Sequence, residues 1–130
     1  MLLQTTLSLA AAAAVINFWL SVRIGQLRQT QGISVGDGGN DVIVRRMRAQ
    51  LNFVENAPLF LILVGLVEMT GKGGTWLAPV GAVFMLGRVA HAFGMEENGP
   101  KWGRPAGALT AMLGLLGLAV VAVLIALGVM

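Results

Sequence analysis

The sequence predicts an all-α integral membrane protein, folded as one antiparallel bundle of four transmembrane helices. Of its 130 residues, 56% are hydrophobic and only 12% are charged, against about 25% charged residues in typical soluble domains. Long apolar runs without alternating polarity favour helices over a closed barrel, the other arrangement that spans a bilayer. At about 20 residues per span, the length accommodates about four helices in a single domain, residues 1–130.

The first helix is predicted over residues 2–28. Residues 2–22 carry no charge, and no Lys or Arg precedes this apolar run, so we expect a retained span rather than a cleaved signal peptide. Asn17 lies deep inside the span and is predicted to form an interhelical hydrogen bond. The glycine-rich residues 29–41 then predict a loop, with Asp41 as the N-cap of the next helix.

The second helix is predicted over residues 42–70, with a polar first half and an apolar second half. Pro58 lies inside it and removes one backbone hydrogen bond, so a kink is expected there. The third helix is predicted over residues 76–95, opening on Trp76 as an interfacial anchor. The fourth is predicted over residues 104–129. Small residues at close-packing spacings give it a helix contact face: Gly107, Ala111, Gly114 and Gly117.

Charge and composition set the topology and exclude several classes of function. The net charge of +3 is confined to a few loops, so nucleic acid is not expected as a partner. Basic residues concentrate in the first and third connections, which the positive-inside rule places in the cytoplasm, with both termini outside. The chain has no cysteine, which excludes disulfides, thiol catalysis and thiolate metal sites.

A charged stripe at the start of the second helix is the candidate site. At about 100° per residue, its members fall within roughly one third of the helix circumference: Arg45, Arg48, Asn52, Glu55 and Asn56. Charged side chains are costly in lipid, so we expect the stripe to face protein or a water-filled cleft. Arginines pair with carboxylates and Glu55 suits an ammonium group. This chemistry fits glutathione and other small zwitterions alike.

Simpler roles are open for individual members of this set. Arginines at a helix end can act as topogenic charges that touch lipid phosphates. The spacing of Arg48 and Glu55 also allows a plain salt bridge between them. A single histidine, His91, is more often a packing residue than a ligand, and with no cysteine it predicts no metal site.

The segment Arg48-Ala49-Gln50-Leu51-Asn52-Phe53-Val54-Glu55-Asn56-Ala57-Pro58 resembles the second-helix motif of the MAPEG family, the membrane-associated proteins in eicosanoid and glutathione metabolism. Residues 25–28 resemble the end of the family's first helix, and residues 87–91 resemble part of its third. The chain is similar to bacterial-type members, which implies the bacterial inner membrane. The size and the four-span plan agree with the family over the whole chain.

This resemblance implies a homotrimer of four-helix subunits, with glutathione as cosubstrate at subunit interfaces near the cytoplasmic side. Matched residue by residue, Arg28, Arg48, Asn52 and Glu55 would hold the peptide. Gln50 would line the site or support a neighbouring residue, and His91 would be a further binding residue. Arg104 would be the catalytic residue that stabilises the thiolate. The other implied partners are membrane lipid and a lipophilic small-molecule substrate that enters from the bilayer.

The chain departs from the pattern of its conjugating relatives in two respects. It contains no tyrosine, whereas those relatives often use tyrosines near the positions of Asn56 and Met95. Pro105 follows Arg104 where some relatives carry a serine. The resemblance therefore leaves two functions open: a glutathione transferase or peroxidase, and a non-catalytic protein of the same fold that binds a thiol peptide or lipid.

A small multidrug-type transporter would also have four short spans. It would need an acidic residue deep in the first span to couple protons, and residues 2–22 contain none. This third function is therefore disfavoured.

Overall fold

The computed structural model of the chain describes residues 2–130 and contains four α-helices. These are α1 (Gln4–Gln31), α2 (Asp41–Met69), α3 (Leu77–Gly94) and α4 (Gly103–Ala126). Each helix is long and apolar enough to cross a membrane, which confirms the predicted multi-pass, all-α architecture. α1 runs on from its predicted end at residue 28 to Gln31, and α4 ends at Ala126, short of the predicted residue 129.

The helices pack around a central pair. α2 and α3 contact each other, and each also contacts both α1 and α4, whereas α1 and α4 do not touch within residues 2–130. Contacts at both ends of α1 and α2 define their antiparallel pairing. Gln50 donates to Ser21 near one end, and Glu68 accepts from the Thr5 amide near the other. Asn17 accepts a hydrogen bond from Gln50 across this pair, which confirms its predicted interhelical role.

Aromatic packing holds the middle of the bundle together. The rings of Phe60 on α2 and Phe84 on α3 stack with their centroids 3.8 Å apart, and both side chains are fully buried. Gly114 on α4 makes room for the pair, because a Cβ there would lie 3.2 Å from Phe60 and 3.4 Å from Phe84. The apolar core thus joins α2, α3 and α4 at one level.

Small residues bring α3 and α4 into close contact. A Cβ on Gly107 would lie 2.5 Å from the His91 Cβ and 2.6 Å from the Gly87 carbonyl oxygen. Ala111, one turn farther along α4, is also buried. Gly117 was predicted to share this contact face, but within residues 2–130 a Cβ there would meet nothing within 4 Å. Gly117 therefore takes no part in the close α3–α4 contact of the described chain.

The helix ends are capped by short polar contacts. Asn40, rather than the predicted Asp41, is the N-cap of α2, because its Oδ1 accepts from the amides of Val42 and Ile43. Asp41 instead lies in the first turn, where its carboxylate faces the positive end of the helix dipole. Gly32 ends α1 in the left-handed conformation, with φ of 69°, which glycine adopts without steric cost.

We predict that Gly107→Ala destabilises the fold. The added methyl group would press on backbone-proximal atoms of α3, and overpacking of this kind costs about 1–3 kcal/mol. Thermal unfolding in detergent micelles measures the effect. Gly117→Ala is the matched control, since the new methyl group is free of contacts and alanine is the better helix former. Equal stability of the two variants would contradict the close α3–α4 contact.

Candidate functional site

Most of the polar side chains cluster at one end of the bundle, here called the basic end. It consists of the C-terminal turns of α1 and α3, the N-terminal halves of α2 and α4, and the connections 32–40 and 95–102. All the predicted site residues belong to it: Arg28, Arg48, Gln50, Asn52, Glu55, His91 and Arg104. The structure divides them between two sides of α2.

A cleft of about 530 Å³ opens between the C-terminal end of α1 and the N-terminal half of α2. Three of the predicted residues, Arg28, Arg48 and Gln50, line this α1–α2 cleft. Its other lining residues are Ser21, Ile24, Asp37, Val44, Met47, Leu51 and Val54. The lining combines basic and amide groups with an apolar wall.

Two of the cleft's polar side chains are held in place. Arg28 donates from Nε to the Gly36 carbonyl at 3.0 Å, which ties the connecting loop to α1. Gln50 donates from Nε2 to Ser21 Oγ at 2.6 Å. Asp37 was not predicted as a cleft residue. It was placed in the right loop, but the fold of that loop onto α1 has no local sequence signal.

The outer face of α2, formed by Arg48, Leu51 and Glu55, points away from the protein's own core. Ala49 and Phe53 lie on the opposite side of α2 and are buried, whereas all three residues of the outer face are exposed. Glu55 lies about 20 Å along the helix from its start, at 1.5 Å per residue. Arg48 and Glu55 thus present opposite charges on the outer face of a spanning helix.

Asn52 turns to the other side, toward α3 and α4. Its Oδ1 accepts from the Arg88 guanidinium, which also donates to the Gly107 carbonyl. Arg45 likewise points toward the end of α3, where it donates to the Met95 carbonyl at 3.3 Å. The predicted stripe is therefore split, with Arg45 and Asn52 against α3 and α4, and the two remaining charged residues on the outer face of α2.

The last two predicted residues lie on α3 and α4. His91 is 6% exposed and packs at the close contact with Gly107. Arg104 is the second residue of α4 and is exposed. The structure thus brings Arg28, Arg48 and Gln50 together in the cleft and leaves these two residues outside its lining.

Glu96 is the central anion of the basic end and was not predicted as a site residue. It accepts from Arg23 on α1 and from Arg46 Nε on α2, the latter at 2.8 Å. Arg46 also donates to the Arg23 carbonyl at 2.8 Å, and the Arg23 guanidinium lies over the Trp19 ring. This Glu96 clamp ties α1 and α2 to the α3–α4 connection. The sequence feature that indicates this clamp is the concentration of arginines near a connection that contains a carboxylate.

One simpler role left open for the charged stripe was a salt bridge between Arg48 and Glu55. Across residues 2–130, the ion pairs are those of Glu96 with Arg23 and Arg46. Arg48 and Glu55 therefore form no salt bridge with each other in this part of the chain. The same residues contain no cluster of three or more metal-ligating side chains.

The family model of the MAPEG family matches residues 6–124 of the chain. The chain therefore belongs to the MAPEG family, whose members are integral membrane proteins generally associated with glutathione. Comparison with curated proteins gives no match.

We predict that Glu96→Gln destabilises the fold, because it removes the charge that two arginines share. Hydrogen bonds to charged groups contribute about 1.5–3 kcal/mol each, and both arginines are only partly exposed. Thermal unfolding in detergent should show a clear loss relative to Glu97→Gln, the neighbouring exposed carboxylate. If both variants unfold at the wild-type temperature, the clamp does not stabilise the bundle.

Proposed function

We propose that the protein is a membrane-bound, glutathione-dependent transferase or peroxidase that acts on lipophilic electrophiles. In this proposal three subunits assemble with glutathione bound between them. The basic end faces the cytoplasm of a bacterial cell, as the positive-inside rule predicts.

One observation carries the proposal: a cation and an anion lie on the outer face of α2 without partners inside the described chain. Arg48 and Glu55 are exposed and belong to a helix long and apolar enough to cross the membrane. Charges within a span are costly in lipid and normally face protein or water. A neighbouring subunit and a zwitterionic ligand would provide both the cover and the opposite charges.

The chemistry of the surrounding groups suits glutathione. Arg28 and Arg48 offer guanidinium groups for its two carboxylates, and Glu55 offers a carboxylate for its ammonium group. Gln50, held by Ser21, adds an amide to the wall of the cleft. His91 belongs to the proposal only through the family resemblance, because its side chain is buried at the α3–α4 contact and lies outside the cleft lining.

Arg104 is the proposed catalytic residue. A guanidinium group beside the glutathione sulfur favours the thiolate, which is the nucleophilic form. In conjugation, the sulfur forms a bond to the electrophilic carbon and the leaving group departs with its electron pair. In peroxide reduction, the sulfur attacks the O–O bond and releases an alcohol, and a second glutathione converts the sulfenic acid to a disulfide and water.

A non-catalytic MAPEG protein that binds a thiol peptide or lipid is the second candidate. The observation in its favour is the absence of tyrosine from the whole sequence, since tyrosines near Asn56 and Met95 assist the conjugating relatives. Binding would be retained in this case and turnover would not.

We predict that Arg48→Ala and Glu55→Gln each weaken glutathione binding at least about tenfold, the effect of losing one hydrogen bond to a charged group. Calorimetric titration of the purified protein in detergent measures the affinity. Lys101→Ala and Glu97→Gln are the matched controls, because each changes an exposed charge of the same kind at the basic end. Unchanged affinity in both site variants would exclude the proposed binding residues.

We predict that Arg104→Ala loses about 100-fold or more of the turnover, a loss typical of removing one stabilising donor, while it still binds glutathione. The assay follows conjugation of a chromogenic electrophile together with the ultraviolet absorbance of the thiolate. Lys101→Ala should keep both signals. If the wild-type protein binds glutathione without thiolate absorbance or turnover, the non-catalytic function is correct instead.

A further inference from the structure

Within residues 2–130, Arg88 is a buried cation that contacts no anion. Its side chain lies in α3, about 10 Å from the helix end, and is only 3% exposed. Its guanidinium donates to Asn52 Oδ1 and to the Gly107 carbonyl, and its Nε has no hydrogen-bond partner among the described residues. No carboxylate contacts it within residues 2–130. Burying a charge against neutral acceptors is costly, so we infer that the Arg88 guanidinium has a role beyond packing.

The contact with Arg88 fixes which way the Asn52 carboxamide points. An amide side chain offers one acceptor and one donor group, and it can rotate to present either. Guanidinium has only donors, so the atom facing it must be the Asn52 oxygen. The Asn52 amino group is therefore turned away from Arg88. Asn52 is only half-buried, so its side chain is partly open to a ligand.

The residue types at these two positions have a chemical consequence. An aspartate at position 52 would pair more strongly with Arg88, because the bond would then join opposite charges. Such an aspartate would have no donor left for a ligand. Asn52 forms no ion pair with Arg88 but keeps two N–H groups. These can donate to an anionic oxygen and repel an ammonium group.

We propose that Arg88 is a positioning residue for the ligand site. It holds Asn52 as a donor, so that Asn52 binds a carboxylate of the ligand rather than its amine. This inference rests on the proposed function and deepens it, because it names the chemical group that Asn52 recognises.

A double-mutant cycle on glutathione affinity tests the coupling. Arg88→Met and Asn52→Ala should each weaken binding about tenfold, the scale of one hydrogen bond to a charged group. The double variant should bind no more weakly than Asn52→Ala alone. If Arg88 acts only as a structural clamp through Gly107, Arg88→Met will weaken binding equally on both backgrounds. That result would overturn the proposal.

Asn52→Asp provides a test that leaves Arg88 intact. The new ion pair with Arg88 should raise the unfolding temperature, while the loss of the donor and the added negative charge weaken glutathione binding more than tenfold. If Asn52 binds the ammonium group through its oxygen, the aspartate will instead tighten binding. Tighter binding by Asn52→Asp would overturn the proposal.

A third measurement does not depend on glutathione. In protein labelled with ¹⁵N-asparagine, the Asn52 side-chain amide signals are assigned by their loss in Asn52→Ala. They should be dispersed in the wild type and move to the position of a free amide in Arg88→Met. Signals that are unchanged by Arg88→Met would refute the positioning role. Absence of any glutathione binding by wild type, with the expected spectral change, would refute only the proposed function.

Discussion

Every charge in a spanning helix needs a polar partner, and this constraint organises the basic end. The Glu96 clamp meets it for Arg23 and Arg46 inside the chain. Arg88 has polar partners but no opposite charge, because it donates to the neutral oxygens of Asn52 and Gly107. The outer face of α2 does not meet it within the described residues. Because the hydrocarbon of the bilayer solvates charged groups poorly, the proposed function assigns the partners of the outer face to a ligand and a neighbouring subunit.

Close packing on the inner side of α2 makes this arrangement possible. The absence of side chains at Gly87 and Gly107 lets α3 and α4 approach until Arg88 on α3 reaches the Gly107 carbonyl on α4. The same guanidinium then reaches across to Asn52 on α2. α2 thus has an inner face that packs against α3 and α4 and an outer face that is exposed beside the α1–α2 cleft. The rigid inner side would hold the polar groups in place before a ligand binds.

Much of the fold follows from local features of the sequence. Apolar runs of sufficient length predict the four helices, and the positions of the arginines place the polar groups at one end. The α1–α2 cleft was less predictable. The helical periodicity predicts which residues share one third of the helix surface, but not which neighbouring helices lie beside them. It therefore did not predict that Asn52 faces α3 while Glu55 lies on the outer face.

Long-range contacts account for the other differences. The Glu96 clamp joins residues that are far apart in sequence, and α1 and the α3–α4 connection meet only once the bundle has formed. The N-cap moved by one residue because Asn40 and Asp41 are both good capping residues, and the loop geometry selects between them. Gly117 matched the small-residue spacing of α4, although a Cβ there would meet no atom within 4 Å among residues 2–130.

The central claim is that the outer face of α2 at the basic end borders a water-filled ligand site rather than lipid. The chain has no cysteine, so Leu51→Cys places a single thiol on this face, and labelling with a water-soluble maleimide in membranes reports its surroundings. Ile62→Cys, exposed farther along α2, is the control. We predict that Cys at position 51 is labelled and that S-methylglutathione protects it, while position 62 stays unlabelled. Failure of position 51 to react, or equal labelling with and without S-methylglutathione, would contradict the account.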